Sequence, residues 1–371
     1  MTAQTPKAVA VAIAARVPVI VWGAPGSGKT SAVMAMAAAA DLPCEVVIAS
    51  IREPSDFAGL PVVADGGVTM APPAWAKRLH GAGRGILFLD EISTAPPAVQ
   101  AALLRVVLER TVGDLQLPDE VVVVAAANPP EMAADGWDLA APLANRFCHL
   151  DWTLDARTWA DGIVGGFSVE KIPTLEHAEL QALSFRHRSQ VAGFLASRGG
   201  FLSMPPSDAT SAGRAWPSPR SWEMTAKLSA AAELIGADRE LVAELIAGAV
   251  GPVAALEFRA WLDDAALPDP EEALRDPSSF RLPERGDRAY ATLSSIVAAV
   301  RSNNTPERWA AAWSAIAAGV GQGQTDIAVA VMRPLIEHRP AGAMPPPDAL
   351  QVVAPVLREA GLFDRLLRGS G

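Results

Sequence analysis

Val17-Pro-Val-Ile-Val-Trp-Gly-Ala-Pro-Gly-Ser-Gly-Lys-Thr30 runs an apolar strand straight into a glycine-rich turn. The turn meets the pattern G-x-x-x-x-G-K-[ST] at Gly23, Gly28, Lys29 and Thr30, with an extra glycine at Gly26. Glycines let successive backbone N–H groups turn inward around phosphate oxygens, and a following helix aims its positive end at the same anion. Lys29 can then reach the β- and γ-phosphates, and the Thr30 hydroxyl suits Mg2+. The context fits: Val19–Trp22 is apolar and strand-like, and the Ala- and Met-rich residues 31–40 are helix-like. The expected phosphate-binding segment is therefore Gly23, Ala24, Pro25, Gly26, Ser27, Gly28, Lys29, Thr30 and Ser31. Its ligand class is a nucleoside triphosphate.

Composition bounds the rest. The chain has 371 residues and a formal net charge of −10. That length allows two or three domains with a large core. Half of the residues are hydrophobic, yet apolar runs such as 121–127 are far too short to span a bilayer. No basic segment followed by an apolar core opens the sequence, so no secretory signal is expected and the chain reads as cytoplasmic. Cys44 and Cys148 make neither a disulfide framework nor a metal spacing, and both are expected in the core. His80, His149, His177, His187 and His338 are scattered without metal spacing. The negative balance argues against a polyanion partner, because nucleic-acid binders carry a basic face.

From Pro6 to about Trp152, short β-branched runs alternate with helical stretches, the pattern of βαβ units and a parallel sheet. Strands are expected at Val19–Trp22, 45–49, 86–89, 121–126 and 148–152. Beyond this the pattern is helical, with helices at 176–195, 221–235 and 239–261 and a Gly/Pro/Ser-rich interruption at 197–219. Residues 263–288 read as a linker, and 289–367 as a last helical region broken at 341–348. The expected domains are 1–152, an α/β nucleotide-binding domain; 153–264, a helical lid; and 265–371, a linker with a C-terminal helical extension.

Two further strand ends carry chemistry. In Gly85-Ile-Leu-Phe-Leu-Asp-Glu-Ile92, Asp90 and Glu91 emerge at the carboxyl end of an apolar strand, where parallel α/β sheets bind ligands. Asp90 can hold the Mg2+ that Thr30 touches, and Glu91 can polarise a water for attack on the γ-phosphorus. Val121-Val-Val-Val-Ala-Ala-Ala-Asn128 ends in an amide that can cap its turn or hydrogen-bond the attacking water.

These three strands in this order resemble the AAA+ ATPases. Ile51-Arg-Glu-Pro-Ser-Asp-Phe-Ala-Gly59, residues 90–104, Glu109-Arg-Thr-Val112 and Ala127-Asn-Pro129 are similar to segments of the MoxR and dynein-related branch. Leu143-Ala-Asn-Arg-Phe147 resembles its arginine-finger segment, and Pro217-Ser-Pro-Arg-Ser221 its sensor 2. The likeness extends over about residues 8–260. It implies a P-loop AAA+ parallel sheet with flanking helices, a helical lid, and hydrolysis of ATP with Mg2+. It makes Asn128 sensor 1, Arg146 a finger reaching a neighbour's ATP, and Arg220 a lid residue on the γ-phosphate. From the residues alone, Arg146 could equally pair with Asp151 or Asp155, and Arg220 could be an ordinary first-turn helix residue.

ATP is favoured because no Asn-Lys-x-Asp pattern reads guanine, and the resemblance places adenine near residues 6–16 and the lid. The resemblance further implies a homo-oligomeric ring, a hexamer by family analogy, that remodels a protein client. The expected partner is a protein with a von Willebrand A-like domain. A nucleic-acid motor with the same core would need basic pore loops. Residues 64–76 carry no positive charge, and the hairpin between Arg110 and Val121 carries acids. The basic cluster Arg186-His-Arg188 reads as a solvated face of a lid helix. A nucleotide-gated scaffold would not need Glu91.

Overall fold

The computed structural model describes residues 5–64, 67–129, 132, 137–265 and 267–368. In chain order it runs α1 (Thr5–Ala14), β1 (Val19–Trp22), α2 (Lys29–Ala39), β2 (Cys44–Ile48), α3 (Ser55–Ala58) and a hairpin of β3 (Leu60–Ala64) and β4 (Gly67–Ala71). Next come α4 (Ala74–Ala82), β5 (Arg84–Asp90), α5 (Pro97–Glu109) and a second hairpin, β6 (Thr111–Val112) with β7 (Leu115–Gln116). Then follow β8 (Glu120–Ala127), α6 (Ala141–Ala144) and β9 (Cys148–Asp151). The remaining elements are helical: α7 (Ala156–Gly165), α8 (His177–Ser197), α9 (Ala209–Ala212), α10 (Pro219–Leu234), α11 (Arg239–Val250) and α12 (Pro252–Ala265). They continue with α13 (Pro270–Arg275), α14 (Gly286–Ser302), α15 (Pro306–Gly321), α16 (Thr325–Glu337), α17 (Pro347–Glu359) and α18 (Phe363–Arg368).

Two compact units emerge. One gathers Met1–Leu175 and Leu202–Leu256; the other gathers Glu176–Phe201 and Glu257–Gly371. The first holds a five-stranded sheet in the order β2-β5-β8-β1-β9, with every pairing parallel. Helices cover both faces of such a sheet, which is why its central strands read as unbroken apolar runs. Val121 to Ala127 are all buried, as are Ile86 to Leu89. Truncating Phe88, fully buried in β5, to alanine would cost about 3–5 kcal/mol. The order places β8 between β5 and β1, so the carboxyl ends of three neighbouring strands lie side by side.

The helices after β9 depart from the sequence expectation in three places. The helix expected over 239–261 is two, because Gly251 adopts φ 82° and Pro252 restarts the chain as α12. Helix α8, grouped by sequence with the lid, belongs instead to the second unit, where it packs along α14. Helices α10 and α11, expected in the lid, stay with the α/β unit, packed on α1 and, through α11, on β9. Residues 263–288 are not a bare linker. They contain α13, capped by Asp269 and tied through Glu271 to Arg308 at 2.7 Å, and Ala273 and Leu274 join the core of the second unit. Trp309 and Trp313 centre that core in edge-to-face contact, with the Trp309 indole donating to Leu335 O at 2.8 Å. No helix among the described residues is long and apolar enough to cross a membrane.

Candidate functional site

The three strand ends bring together most of the residues singled out by sequence. After β1, Gly26 and Gly28 take φ 74° and 87°, values that side-chain-bearing residues rarely adopt, and a Cβ at either would meet nothing within 4 Å. The loop is thus open to its surroundings at both glycines. It ends at Gly28, the N-cap of α2, which offers no side-chain cap to the first N–H groups of the helix. Uncapped donors at the positive end of an eleven-residue helix suit an anion. Ser31 lies exposed in that first turn, and the Ser27 hydroxyl donates to Ala24 O at 2.7 Å.

Lys29 is buried and folds back over the loop. Its Nζ donates to Gly23 O at 2.7 Å, Ala24 O at 3.0 Å and Asn128 Oδ1 at 3.2 Å. Burial pulls this ammonium below its ordinary pKa, and the negative charge of Asp90 pulls it back. Thr30 Oγ1 donates to Asp90 Oδ2 at 2.7 Å. The phosphate loop and the acidic strand therefore meet directly, across sixty residues of sequence. Two hard oxygen donors side by side, hydroxyl and carboxylate, match what Mg2+ prefers. Among the described residues no cluster of three or more His, Cys, Asp or Glu could hold a metal ion.

Glu91 turns away from the strand in the left-handed region, φ 55° and ψ 38°. Such a conformation in a non-glycine residue is strained and is characteristic of functional sites. Its carboxylate is exposed and accepts from the Ser50 hydroxyl, while its N–H donates to Asp90 Oδ1 at 3.0 Å. Asn128 follows β8 and faces Lys29; its backbone N–H donates to Ser93 Oγ at 3.3 Å. Carboxylate, amide and ammonium thus stand at the carboxyl ends of the neighbouring strands β5, β8 and β1.

Arg146 and Arg220 form a separate group. The alternatives that sequence left open for Arg146 are taken by other residues: Asp151 pairs with Arg214 at 3.0 Å, and Asp155 caps α7 through Thr158. Arg146 donates to Pro142 O, and its Nε is buried without a partner. Burial lowers its pKa, and the nearby positive charge of Arg220 lowers it further. Arg220 is exposed in the first turn of α10, where the helix dipole disfavours a cation. Among the described residues, neither arginine hydrogen-bonds or ion-pairs with Lys29, Thr30, Asp90 or Glu91.

Three supporting residues went unnoticed in the sequence. Ser50, just past β2, reaches Glu91 because β2 lies beside β5. The Trp152 indole donates to Ser27 O at 3.0 Å and holds the phosphate loop from the β9 side. His149, on β9, accepts the Trp22 indole N–H at 2.9 Å and bonds Ala144 O through Nε2 at 2.9 Å. Each contact depends on strand order, which motif spacing does not report. Of the cysteines expected in the core, Cys148 is buried and Cys44 half-buried; both are free. Burial pushes the Cys44 thiol up to about 11.

Residues 18–147 match the family profile described as AAA domain (dynein-related subfamily), from the residue before β1 to the residue before β9. No match is found among curated proteins. A crystal structure from Cytophaga hutchinsonii ATCC 33406, described provisionally as an ATPase, is 21% identical with a TM-score of 0.45; the match covers 65% of this chain and 79% of that one. A full-length MCM homologue from Methanopyrus kandleri is 17% identical with a TM-score of 0.38, over 67% of this chain and 57% of that one. The parallel sheet with its phosphate loop is an AAA+ P-loop fold, and the matched stretch is an AAA ATPase domain.

Proposed function

We propose that this ATPase uses Mg2+-dependent ATP hydrolysis to remodel or activate a protein partner, in the manner of MoxR-type AAA+ chaperones. The hydrogen bond from Thr30 to Asp90, with Lys29 and Asn128 beside it, is the observation that carries the reading. The loop N–H groups and the N-terminus of α2 grip the phosphates, and Lys29 leaves its loop carbonyls for the β/γ oxygens. Thr30 and Asp90 would hold Mg2+, which would supply charge neutralisation at the phosphate oxygens. Glu91 takes the proton of the attacking water, released from Ser50 as it turns towards the opening, and Asn128 orients that water.

Arg146 acts on a neighbour's nucleotide in a homo-oligomeric ring, most simply a cytoplasmic hexamer, and Arg220 contacts the γ-phosphate. Two like charges near each other, with no carboxylate partner among the described residues, support an anion as their common target. A protein client, and specifically one bearing a von Willebrand A-like domain, follows from the resemblance to the MoxR branch. The acidic balance of the chain and the lack of positive charge over residues 64–76 support protein over nucleic acid. Turnover per protomer measured against protein concentration, with and without DNA, tests the reading. We expect turnover to rise as the ring assembles and to ignore DNA. Constant turnover down to the monomer, or salt-sensitive stimulation by DNA, would overturn it.

A further inference from the structure

The geometry points to Asn145 as a positioning residue that locks the Arg146 turn to the start of α10, so that both arginines are presented as one rigid pair; this rests on the reading of Arg146 and Arg220 given above.

Asn145 is only 4% exposed and lies at the C-cap of α6, directly before Arg146. Its Nδ2 donates to Trp216 O at 3.0 Å, and its Oδ1 accepts from Ser218 Oγ at 2.6 Å. The amide has one orientation open to it. Trp216 O can only accept, so the NH2 faces it. Ser218 Oγ already accepts the Ser221 N–H at 3.1 Å and gives its own proton to Oδ1. Ser218 is the N-cap of α10, and Ser221 Oγ completes the capping box by accepting the Ser218 N–H at 2.8 Å. The helix that begins there carries Arg220 in its first turn.

The capping box closes through Ser218 and Ser221 alone, so the helix start does not need Asn145 for its own hydrogen bonds. What the amide adds is a bridge across 71 to 73 residues of sequence between two arginine-bearing segments. The same turn is held from its other side. Ala144 O accepts from His149, which accepts from Trp22, the residue before the phosphate loop. Asn145 therefore sits where the finger turn, the lid helix and the end of β1 are joined. The joint works against repulsion, because the positive charge of Arg220 bears on Arg146. A buried amide with donor and acceptor both committed is satisfied only in this arrangement, which makes the position of Arg146 discrete rather than adjustable.

The test compares wild type, Asn145→Ala, Asn145→Asp, Arg146→Ala and the Asn145→Ala/Arg146→Ala double variant, by steady-state ATP hydrolysis and by affinity for a fluorescent ATP analogue. Asn145→Asp keeps the acceptor for Ser218 but sets a carboxylate oxygen against the Trp216 carbonyl. We expect both single variants at Asn145 to lower turnover by about ten- to a hundredfold, the scale for a displaced catalytic group. Analogue affinity should stay within about threefold, since no phosphate-loop residue is touched. On the Arg146→Ala background, Asn145→Ala should add less than about twofold, because the two changes act through one guanidinium.

Turnover within about twofold of wild type in the Asn145 variants would overturn the inference, as would a full additive loss in the double variant. Loss of analogue binding together with turnover would also overturn it, since the amide would then be a general fold element. Unchanged turnover in Arg146→Ala alone would instead fault the reading of the arginine, and is visible without any Asn145 variant.

Discussion

Acid is expected to loosen the seam between β1 and β9 at His149. The imidazole is 8% exposed and carries two buried hydrogen bonds, from the Trp22 indole to Nδ1 and from Nε2 to Ala144 O. Only the neutral ring can make both, because a doubly protonated imidazole has no acceptor for the indole. Burial pushes the pKa down from 6.5 to about 4; Arg214 lowers it too, while the Ala144 carbonyl and Asp151 oppose. The unfolded chain therefore takes up the proton first. The stability contributed by the neutral ring is complete above pH 6.5 and drains away as the pH falls towards 4.

At about 1.4 kcal/mol per pH unit, the whole window amounts to about 3 kcal/mol, and the step from pH 7 to pH 5 to about 2 kcal/mol. Urea unfolding followed by tryptophan fluorescence at those two pH values, on wild type and His149→Gln, isolates the effect. Glutamine keeps a donor and an acceptor but does not titrate, and all other acid-sensitive groups cancel in the comparison. Wild type should lose about 2 kcal/mol more than the variant between the two pH values. Equal losses would refute the assignment of a buried neutral imidazole.

Three further outcomes follow from the site. Gly23→Ala places a Cβ 2.7 Å from Trp152 O, so we expect about 1–3 kcal/mol of destabilisation, read as a lower midpoint in thermal unfolding. Lys29→Ala removes a charge-assisted donor; affinity for ATP in calorimetric titration should fall by about ten- to a hundredfold, corresponding to the usual 1.5–3 kcal/mol. Arg146→Ala should lower turnover by about a thousandfold or more while ATP still binds, the magnitude seen when a transition-state arginine is withdrawn. Normal turnover in that variant would exclude the finger role.

The parts legible in the sequence were those in which chemistry and spacing coincide. The turn from Gly23 to Thr30 carries its own geometry, and Asp90, Glu91 and Asn128 stand out in the sequence because each follows or ends an apolar run. The strands at 45–49, 86–89, 121–126 and 148–152 fall within a residue or two of β2, β5, β8 and β9; the central pair, β5 and β8, is buried on both faces and leaves an unbroken apolar signal. Contacts set by strand order were illegible. Ser50 meets Glu91 only because β2 neighbours β5, and Trp152 meets Ser27 only because β9 neighbours β1.

The helical region after β9 suffered from a related blindness. Periodicity gave α8 a helix but not a partner, and it packs in the second unit. Gly251, hidden among alanines and valines, splits a helix that apolar patterning runs together. The prolines and charges around α13 read as a linker, though Asp269 caps that helix and Glu271 fastens it to Arg308. Sequence named Arg146 and Arg220 separately; that Asn145, Trp216 and Ser218 join their segments required the tertiary structure.

The most direct measurement is Mg2+-dependent ATP hydrolysis by wild type and Glu91→Gln, with ATP affinity determined for both. Glu91→Gln keeps the shape of the site and every phosphate contact but removes the proton acceptor. We expect ATP affinity to change by less than about threefold and turnover to fall by about a hundredfold or more, as for loss of a general base. Turnover equal to that of wild type, or a wild-type protein that binds no ATP, would contradict the placement of a hydrolytic nucleotide site between Lys29 and the tip of β5.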